Sequence, residues 1–186
     1  MKHKENDYEA EFQAAIERTD SWGMCAPYFK PSPHRVAEAK SPELSAFMQE
    51  FLGSFSADDI YRQCFFVTLS MKKGIENILG TPLVYTLGYV QRHQRDYFYT
   101  PLPELKRHIS HPLSAGGFNL HAWLTTPSYE IIDPTFLTTW GNLKNEPDLI
   151  GRVFMQHYSA LLQDVIYHPQ ITGEEYLRQI GGLIDF

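Results

Sequence analysis

The segment Arg62-Gln63-Cys64-Phe65-Phe66-Val67 opens a helical pattern that runs to Leu79 and ends at Gly80-Thr81-Pro82. The first turns, through Met71, are apolar on every side, which predicts a helix start buried at the centre of the fold. Cys64 stands at this start. The N–H groups and partial positive charge of a helix N-terminus favour a thiolate, which is the nucleophilic form of cysteine. Cys64 is therefore either a nucleophile or, as is commoner for a cysteine beside two phenylalanines, a small apolar packing residue.

The chain has only one other cysteine, Cys25, and it is the rival nucleophile. It lies between Thr19 and Lys40, a segment rich in proline that is typical of irregular structure. No helix is expected to begin after Cys25, because Ala26-Pro27 interrupts the pattern. We therefore prefer Cys64.

Two strand-like runs flank Thr126-Pro127-Ser128, which has the composition of a turn. In a hairpin centred on Pro127, His121 and Asp133 lie directly opposite each other, with Cβ atoms about 4.5–5.5 Å apart. The carboxylate would then accept a hydrogen bond from the imidazole, fix its tautomer and leave the other ring nitrogen to face a thiol. The alternative is a polar pair on a solvated face of the sheet.

Four blocks of this sequence resemble the transglutaminase-like superfamily. Tyr61–Val67 is similar to its Gly-Gln-Cys-Trp start, and Leu79–Val90 to its Leu-Gly-Ile-Pro-x-Arg-Val-Val-x-Gly-Tyr continuation. His121-Ala122-Trp123-Leu124 and Ile132-Asp133-Pro134-Thr135 resemble its His-Ala-Trp-Val and Leu-Asp-Pro-Thr blocks. The likeness spans roughly residues 60 to 136 and keeps the chain order Cys, His, Asp.

The resemblance implies Cys64 as nucleophile, His121 as general base and acid, and Asp133 as the group that orients the histidine. Two positions depart from the family pattern: Arg62 replaces the usual glycine and Phe65 the usual tryptophan. Nothing outside this region resembles the calcium-binding or flanking domains of animal transglutaminases, so protein cross-linking is not implied.

The implied function is thiol-dependent acyl transfer on an amide or ester, through a thioester intermediate, with a protein, peptide or small amide as substrate. Two alternatives stay open: an N-acyltransferase that uses an acyl thioester on the same triad, and an inactive module that binds a protein. No cofactor is expected. His108 and His111 are a weak metal pair, because no third ligand follows at a suitable spacing.

Composition bounds the remaining interpretations. The chain has 186 residues, 43% of them hydrophobic, which suits one domain: a helical cover (1–55), a catalytic core (56–136) and a C-terminal completion (137–186). The predicted fold is α+β with a papain/transglutaminase-like core, in which the Cys64 helix packs on an antiparallel sheet.

The net charge of −6 disfavours nucleic acid as a partner, and no apolar run is long enough for a membrane span. The oligomeric state is left open.

The expected location is the cytosol, because the N-terminus lacks an apolar leader segment and two cysteines form no disulfide framework. Export without a cleaved leader is the alternative.

Local signals predict several element boundaries. Ser41 is expected to cap an amphipathic helix that ends near Gly53, and Ser56 and Asp59 form a capping box. A single helix from Ser56 would place Cys64 two turns after the helix start, too far for the terminal N–H groups to reach its sulfur. We therefore expect a short turn through Tyr61 and a new helix near Gln63. Ser114-Ala115-Gly116-Gly117 is predicted to flex and admit substrate.

Overall fold

The computed structural model describes residues 7–111, 119–161 and 165–183, with the backbone alone of Arg62. The glycine-rich stretch predicted to flex, 114–117, lies outside these residues. The helices of the described residues are α1 (Tyr8–Ser21), α2 (Ser41–Leu52), α3 (Ala57–Arg62), α4 (Cys64–Leu79), α5 (Leu102–Ser110), α6 (Phe136–Lys144) and α7 (Glu175–Gln179). The strands are β1 (Val84–Arg92), β2 (Arg95–Tyr97), β3 (His121–Thr125), β4 (Glu130–Asp133), β5 (Phe154–His157) and β6 (Val165–Thr172).

The fold is α+β, as predicted, with antiparallel strand pairs and separate helices. The chain forms two compact units. The first comprises Met1–Tyr28, Thr86–His121 and Tyr158–Phe186, and the second Phe29–Tyr85 and Ala122–His157. The expectation of one domain stays a prediction.

The first unit is built on the pairing of β1 with β6 and on α1, which packs against β6. The buried face of α1 carries Tyr8, Phe12, Ala15 and Thr19. The Thr19 hydroxyl donates to the Ala15 carbonyl at 2.8 Å and accepts from the Thr172 amide at 3.0 Å. One side chain thus joins the helix to the end of the strand.

A tight hairpin joins β1 to β2 in this unit. Its two loop residues, His93 and Gln94, have φ of 49° and 60°. Positive φ at both loop positions matches the right-handed twist of the flanking strands. The charged, aromatic stretch after β1 therefore forms a hairpin.

In the second unit, the chain breaks immediately before Cys64. Ser56 caps α3, since its hydroxyl accepts from the Asp59 amide at 3.2 Å, as the capping box predicts. Helix α3 ends at Arg62, Gln63 leaves the helical region with φ −122° and ψ 31°, and α4 starts at Cys64. The expected short helix followed by a new helix is confirmed.

Helix α2 begins one residue earlier than predicted. Lys40 is its N-cap, and its carbonyl accepts from the Leu44 amide at 2.9 Å. Ser41 makes no side-chain capping bond, so the prediction that Ser41 caps this helix is wrong. The reason lies in the preceding turn, where the amides of Lys40 and Ser41 donate to the carbonyls of Ala37 and Glu38 and lead directly into the helix.

The hairpin of β3 and β4 is also in a different register from the predicted one. Leu124 pairs with Ile132 and Thr125 with Ile131, so the loop is Pro127–Tyr129 and its centre is Ser128. Tyr129 has φ 59°, and its amide donates to the Thr126 carbonyl at 2.9 Å. A turn followed by one left-handed residue is the common three-residue hairpin loop.

The shift changes which residues face each other across the two strands. The predicted direct opposition of residues 121 and 133 is wrong, because the Leu124–Ile132 and Thr125–Ile131 pairs shift the register of the hairpin by two residues. Since the register moves by two residues, the alternation of faces is unchanged, and the odd-numbered positions of both strands share one face.

A buried carboxylate holds the segment before α2 against this hairpin. Glu130 is 2% exposed and accepts hydrogen bonds from the amides of Val36, Ala37 and Glu38 at 2.8–3.2 Å. The Ser128 hydroxyl donates to it at 2.7 Å. Burial alone would raise the pKa of Glu130, but these hydrogen bonds outweigh burial and hold the pKa below its usual range.

Candidate functional site

Cys64 is the first residue of α4, a helix of 16 residues. It is a free cysteine and partly exposed. The amides of a first helical turn have no partner within the helix, and they point toward the N-terminus together with the positive end of the helix dipole. The position predicted from sequence, at the start of a long helix, is therefore confirmed. It is less buried than the apolar pattern suggested.

Two hydrogen bonds within the second unit fix the first turns of α4 against strands. The Tyr85 hydroxyl donates to the Phe65 carbonyl at 3.0 Å. The Thr68 hydroxyl lies 3.5 Å from the carbonyl of Ala122, the residue after His121. Thr68 is one helical turn beyond Cys64, so the backbone of β3 reaches the same end of the helix.

Asp133 is fully buried at the end of β4, and its carboxylate organises the start of α6. Its Oδ1 accepts from the amides of Thr135 and Phe136, each at 2.9 Å, and from the Thr135 hydroxyl at 3.3 Å. These bonds give the carboxylate a fixed orientation and a structural role that sequence reasoning did not predict.

His121 lies in the first unit and is 1% exposed. The ring of Phe98 stacks on the imidazole, with centroids 5.1 Å apart and an interplanar angle of 25°. Phe98 has φ 65°, a left-handed conformation that is rare for an aromatic residue. Strained backbone of this kind often occurs where a side chain has to be held in a particular place.

Cys25 lies in the irregular segment after α1, as predicted, and is exposed. Its amide donates to Glu175 Oε2 at 2.8 Å. It is not at a helix start.

Two structurally important residues were not identified from sequence: Phe98 and Glu130. The signal for Glu130 was present, since a charged residue opens a short strand-like run, two residues after Ser128 and four after Thr126. Phe98 gave no signal, because a single aromatic residue in an aromatic stretch does not reveal its φ angle.

His108 and His111 do not form part of a metal cluster. Across residues 7–111, 119–161 and 165–183, no group of three or more histidine, cysteine or acidic residues could hold a metal ion. His108 Nε2 lies 3.9 Å from Oε1 of Glu104, one helical turn earlier. No helix in these same ranges is long and apolar enough to cross a membrane.

Comparison with known proteins finds no matching family model, no matching curated protein and no matching solved structure.

Proposed function

We propose that this protein catalyses acyl transfer on an amide or ester through Cys64, His121 and Asp133, within a papain/transglutaminase-like core. The observation that carries the proposal is the position of Cys64, a partly exposed free thiol at the first residue of α4. The roles of His121 and Asp133 come from the resemblance of the sequence blocks around all three residues to the transglutaminase-like superfamily. The substrate class is a protein, peptide or small amide.

Three contacts support the assignment of roles. The Thr68–Ala122 contact fixes the residue that follows His121 in the chain against the first turns of α4, within the second unit. The stacking of Phe98 limits rotation of the imidazole. The bonds from residues 135 and 136 to Asp133 Oδ1 hold the carboxylate in one orientation, which suits a group whose task is to orient a histidine.

In the proposed reaction, the Cys64 thiolate attacks the carbonyl carbon and forms a C–S bond. The Cys64 amide and one further donor stabilise the oxyanion. The His121 imidazolium gives its proton to the leaving amine or alcohol as the C–N or C–O bond breaks. Neutral His121 then takes a proton from water or an amine, which attacks the thioester and releases the thiolate.

A non-catalytic binding module is the second candidate. Tyr61 and Phe66, close to Cys64 in the chain, are 38% and 47% exposed, and exposed aromatic residues are common at binding surfaces. The capping role of Asp133 also explains that residue without catalysis. The third interpretation, acyl-thioester-dependent N-acyl transfer, uses the same triad with an amine as acceptor.

The test uses p-nitrophenyl acetate, because it needs no knowledge of the natural substrate. The expected result is a stoichiometric burst of p-nitrophenol and an acetyl group on Cys64, detected by peptide mass spectrometry. His121→Ala should abolish the burst, and Cys25→Ser is the matched control that should keep it. Adding methylamine distinguishes the two acyl acceptors. Formation of an amide indicates that the acyl group is transferred to an amine, whereas release of the acid indicates hydrolysis by water.

Acetylation of Cys25, or a Cys64 that reacts at the same rate in His121→Ala, contradicts the proposal. Rapid alkylation by iodoacetamide at mildly acidic pH, lost in His121→Ala, gives an independent measure of the thiolate–imidazolium pair.

A further inference from the structure

A cavity of about 230 Å³ lies in the first unit, between α1, β1, β6 and the residues just before and at the start of α5. All residues that line it belong to that unit. Pockets for drug-sized ligands are larger, about 300–1,000 Å³, whereas one water occupies about 30 Å³. The cavity therefore suits a molecule about the size of one six-membered sugar ring.

The lining carries charges of both signs. Glu11 Oε2 lies 2.7 Å from His168 Nδ1, and Arg18 Nη1 donates to the Gln170 carbonyl oxygen. Burial lowers the pKa of Arg18, and the nearby Glu11 carboxylate acts in the opposite direction. Glu11 would repel an anionic ligand, and Arg18 would repel a cationic ligand.

Two residues of the lining contribute buried polar atoms that lack a hydrogen-bond partner among the described residues. They are Nε2 of His168 and Oε1 of Gln170, whose residue is only 4% exposed. The Gln170 amide nitrogen is already committed, since it donates to the Thr100 carbonyl at 2.9 Å. A buried polar atom without a partner destabilises the folded chain, so a molecule that bonds to both atoms would recover that loss.

One side of the cavity is aromatic. Tyr89 lies opposite His168 in the strand pair, and the two rings stack at 4.5 Å with an interplanar angle of 12°. Tyr99 meets Tyr89 edge to face at 4.8 Å. Burial, assisted by Asp96, Glu11 and Tyr99, raises the pKa of Tyr89 to about 12, so its hydroxyl remains neutral at ordinary pH.

We infer that this cavity binds one ring of a neutral, polyhydroxylated small molecule, such as a monosaccharide. A hydroxyl group both donates and accepts, so it satisfies Gln170 Oε1 and His168 Nε2 without opposing either Glu11 or Arg18. The C–H faces of a sugar ring would pack on the tyrosines. This inference concerns a site other than the proposed triad.

The test is saturation-transfer NMR and calorimetry with methyl glucoside, methyl galactoside and methyl mannoside. The charged probes glucuronate and glucosamine serve as matched controls. At least one neutral glycoside should bind with Kd of about 1 mM, and both charged rings should bind at least about tenfold more weakly. The assay requires no catalysis, so its outcome is separate from that of the acyl-transfer test.

Tyr99→Ala is the most suitable variant, because Tyr99 is 44% exposed and we expect its loss to leave the fold intact. It should weaken binding by about tenfold. Tyr28→Ala, at a tyrosine that is 82% exposed and outside the lining, should leave binding unchanged. Preferential binding of glucuronate or glucosamine, no binding of any neutral glycoside, or unchanged affinity in Tyr99→Ala overturns the inference.

Discussion

The ring of Phe98 stacks on the imidazole of His121, and Phe98 holds this position with a backbone φ of 65°. The left-handed conformation costs an L-residue about 1–2 kcal/mol, and glycine adopts it without that cost. The stacked ring therefore remains in place against a local backbone penalty. If His121 is a catalytic base, Phe98 is a positioning residue for it.

Comparison of Phe98→Gly with Phe98→Ala tests the strain. Both variants lose the ring, but only glycine removes the backbone penalty, so Phe98→Gly should be more stable than Phe98→Ala by about 1 kcal/mol. Urea denaturation measures the free energies of unfolding. Equal stability of the two variants would mean that residue 98 is not strained.

The same two variants test the positioning role. Both should alkylate Cys64 more slowly at mildly acidic pH, because the imidazole loses the ring that stacks on it. A rate unchanged from that of the original chain, in variants shown to be folded, would leave Phe98 with a packing role alone.

Asp133 combines a structural role with a proposed catalytic one, and the Asp133→Asn variant separates the two roles. Asp133→Asn keeps an oxygen for the amides of Thr135 and Phe136, whereas Asp133→Ala leaves those buried donors without it. We expect Asp133→Ala to lose about 1–3 kcal/mol more stability than Asp133→Asn. Thermal and urea unfolding give this difference.

Both Asp133 variants should fail to acetylate Cys64 at the original rate if the carboxylate orients the histidine, since an amide does not stabilise an imidazolium in the same way. Full activity in Asp133→Asn would assign Asp133 to helix capping only.

Glu130 makes stability depend on pH with a predictable sign. Its pKa is lower in the folded chain than in the unfolded chain. The stabilisation from its charge is therefore complete above the unfolded pKa of about 4.3 and disappears as pH falls through the folded pKa. Glu130→Gln should cost about 2–4 kcal/mol at pH 7 and progressively less below pH 4.

The matched control for this prediction is Glu43→Gln, at a carboxylate whose side chain is 56% exposed. Urea unfolding between pH 3 and pH 7 should show almost no loss for the control. A Glu130→Gln loss that does not vary with pH would contradict the assignment of the stabilisation to the charged form.

Gly74 gives α2 and α4 room to approach each other. A Cβ at this position would overlap the ring of Phe47. Alanine normally stabilises a helix interior relative to glycine by about 0.5–1 kcal/mol, but here the overlap should reverse the sign and cost about 1–3 kcal/mol. In a Phe47→Leu background the same substitution should become neutral or stabilising. A double-mutant cycle measures this coupling, and additive effects would disprove it.

The amino-acid sequence determined the features that depend on neighbours in the chain. The capping box at Ser56, the break at Gln63 and the left-handed Gly80 after α4 are local signals, because each satisfies backbone groups within a few residues. For the same reason the sequence located Cys64 at a helix start, and it indicated that residues 121 and 133 belong to one hairpin.

Tertiary structure alone decided what depends on residues far apart or on the backbone angle of one residue. The hairpin register followed from the φ of Tyr129, and the hydrogen bonds of Glu130 reach amides more than 90 residues earlier in the chain. The cavity between α1, β1 and β6 is likewise lined by residues from segments that are far apart in the chain. A sequence pattern reports the solvent preference of a side chain, but packing selects its partner from many residues with the same preference.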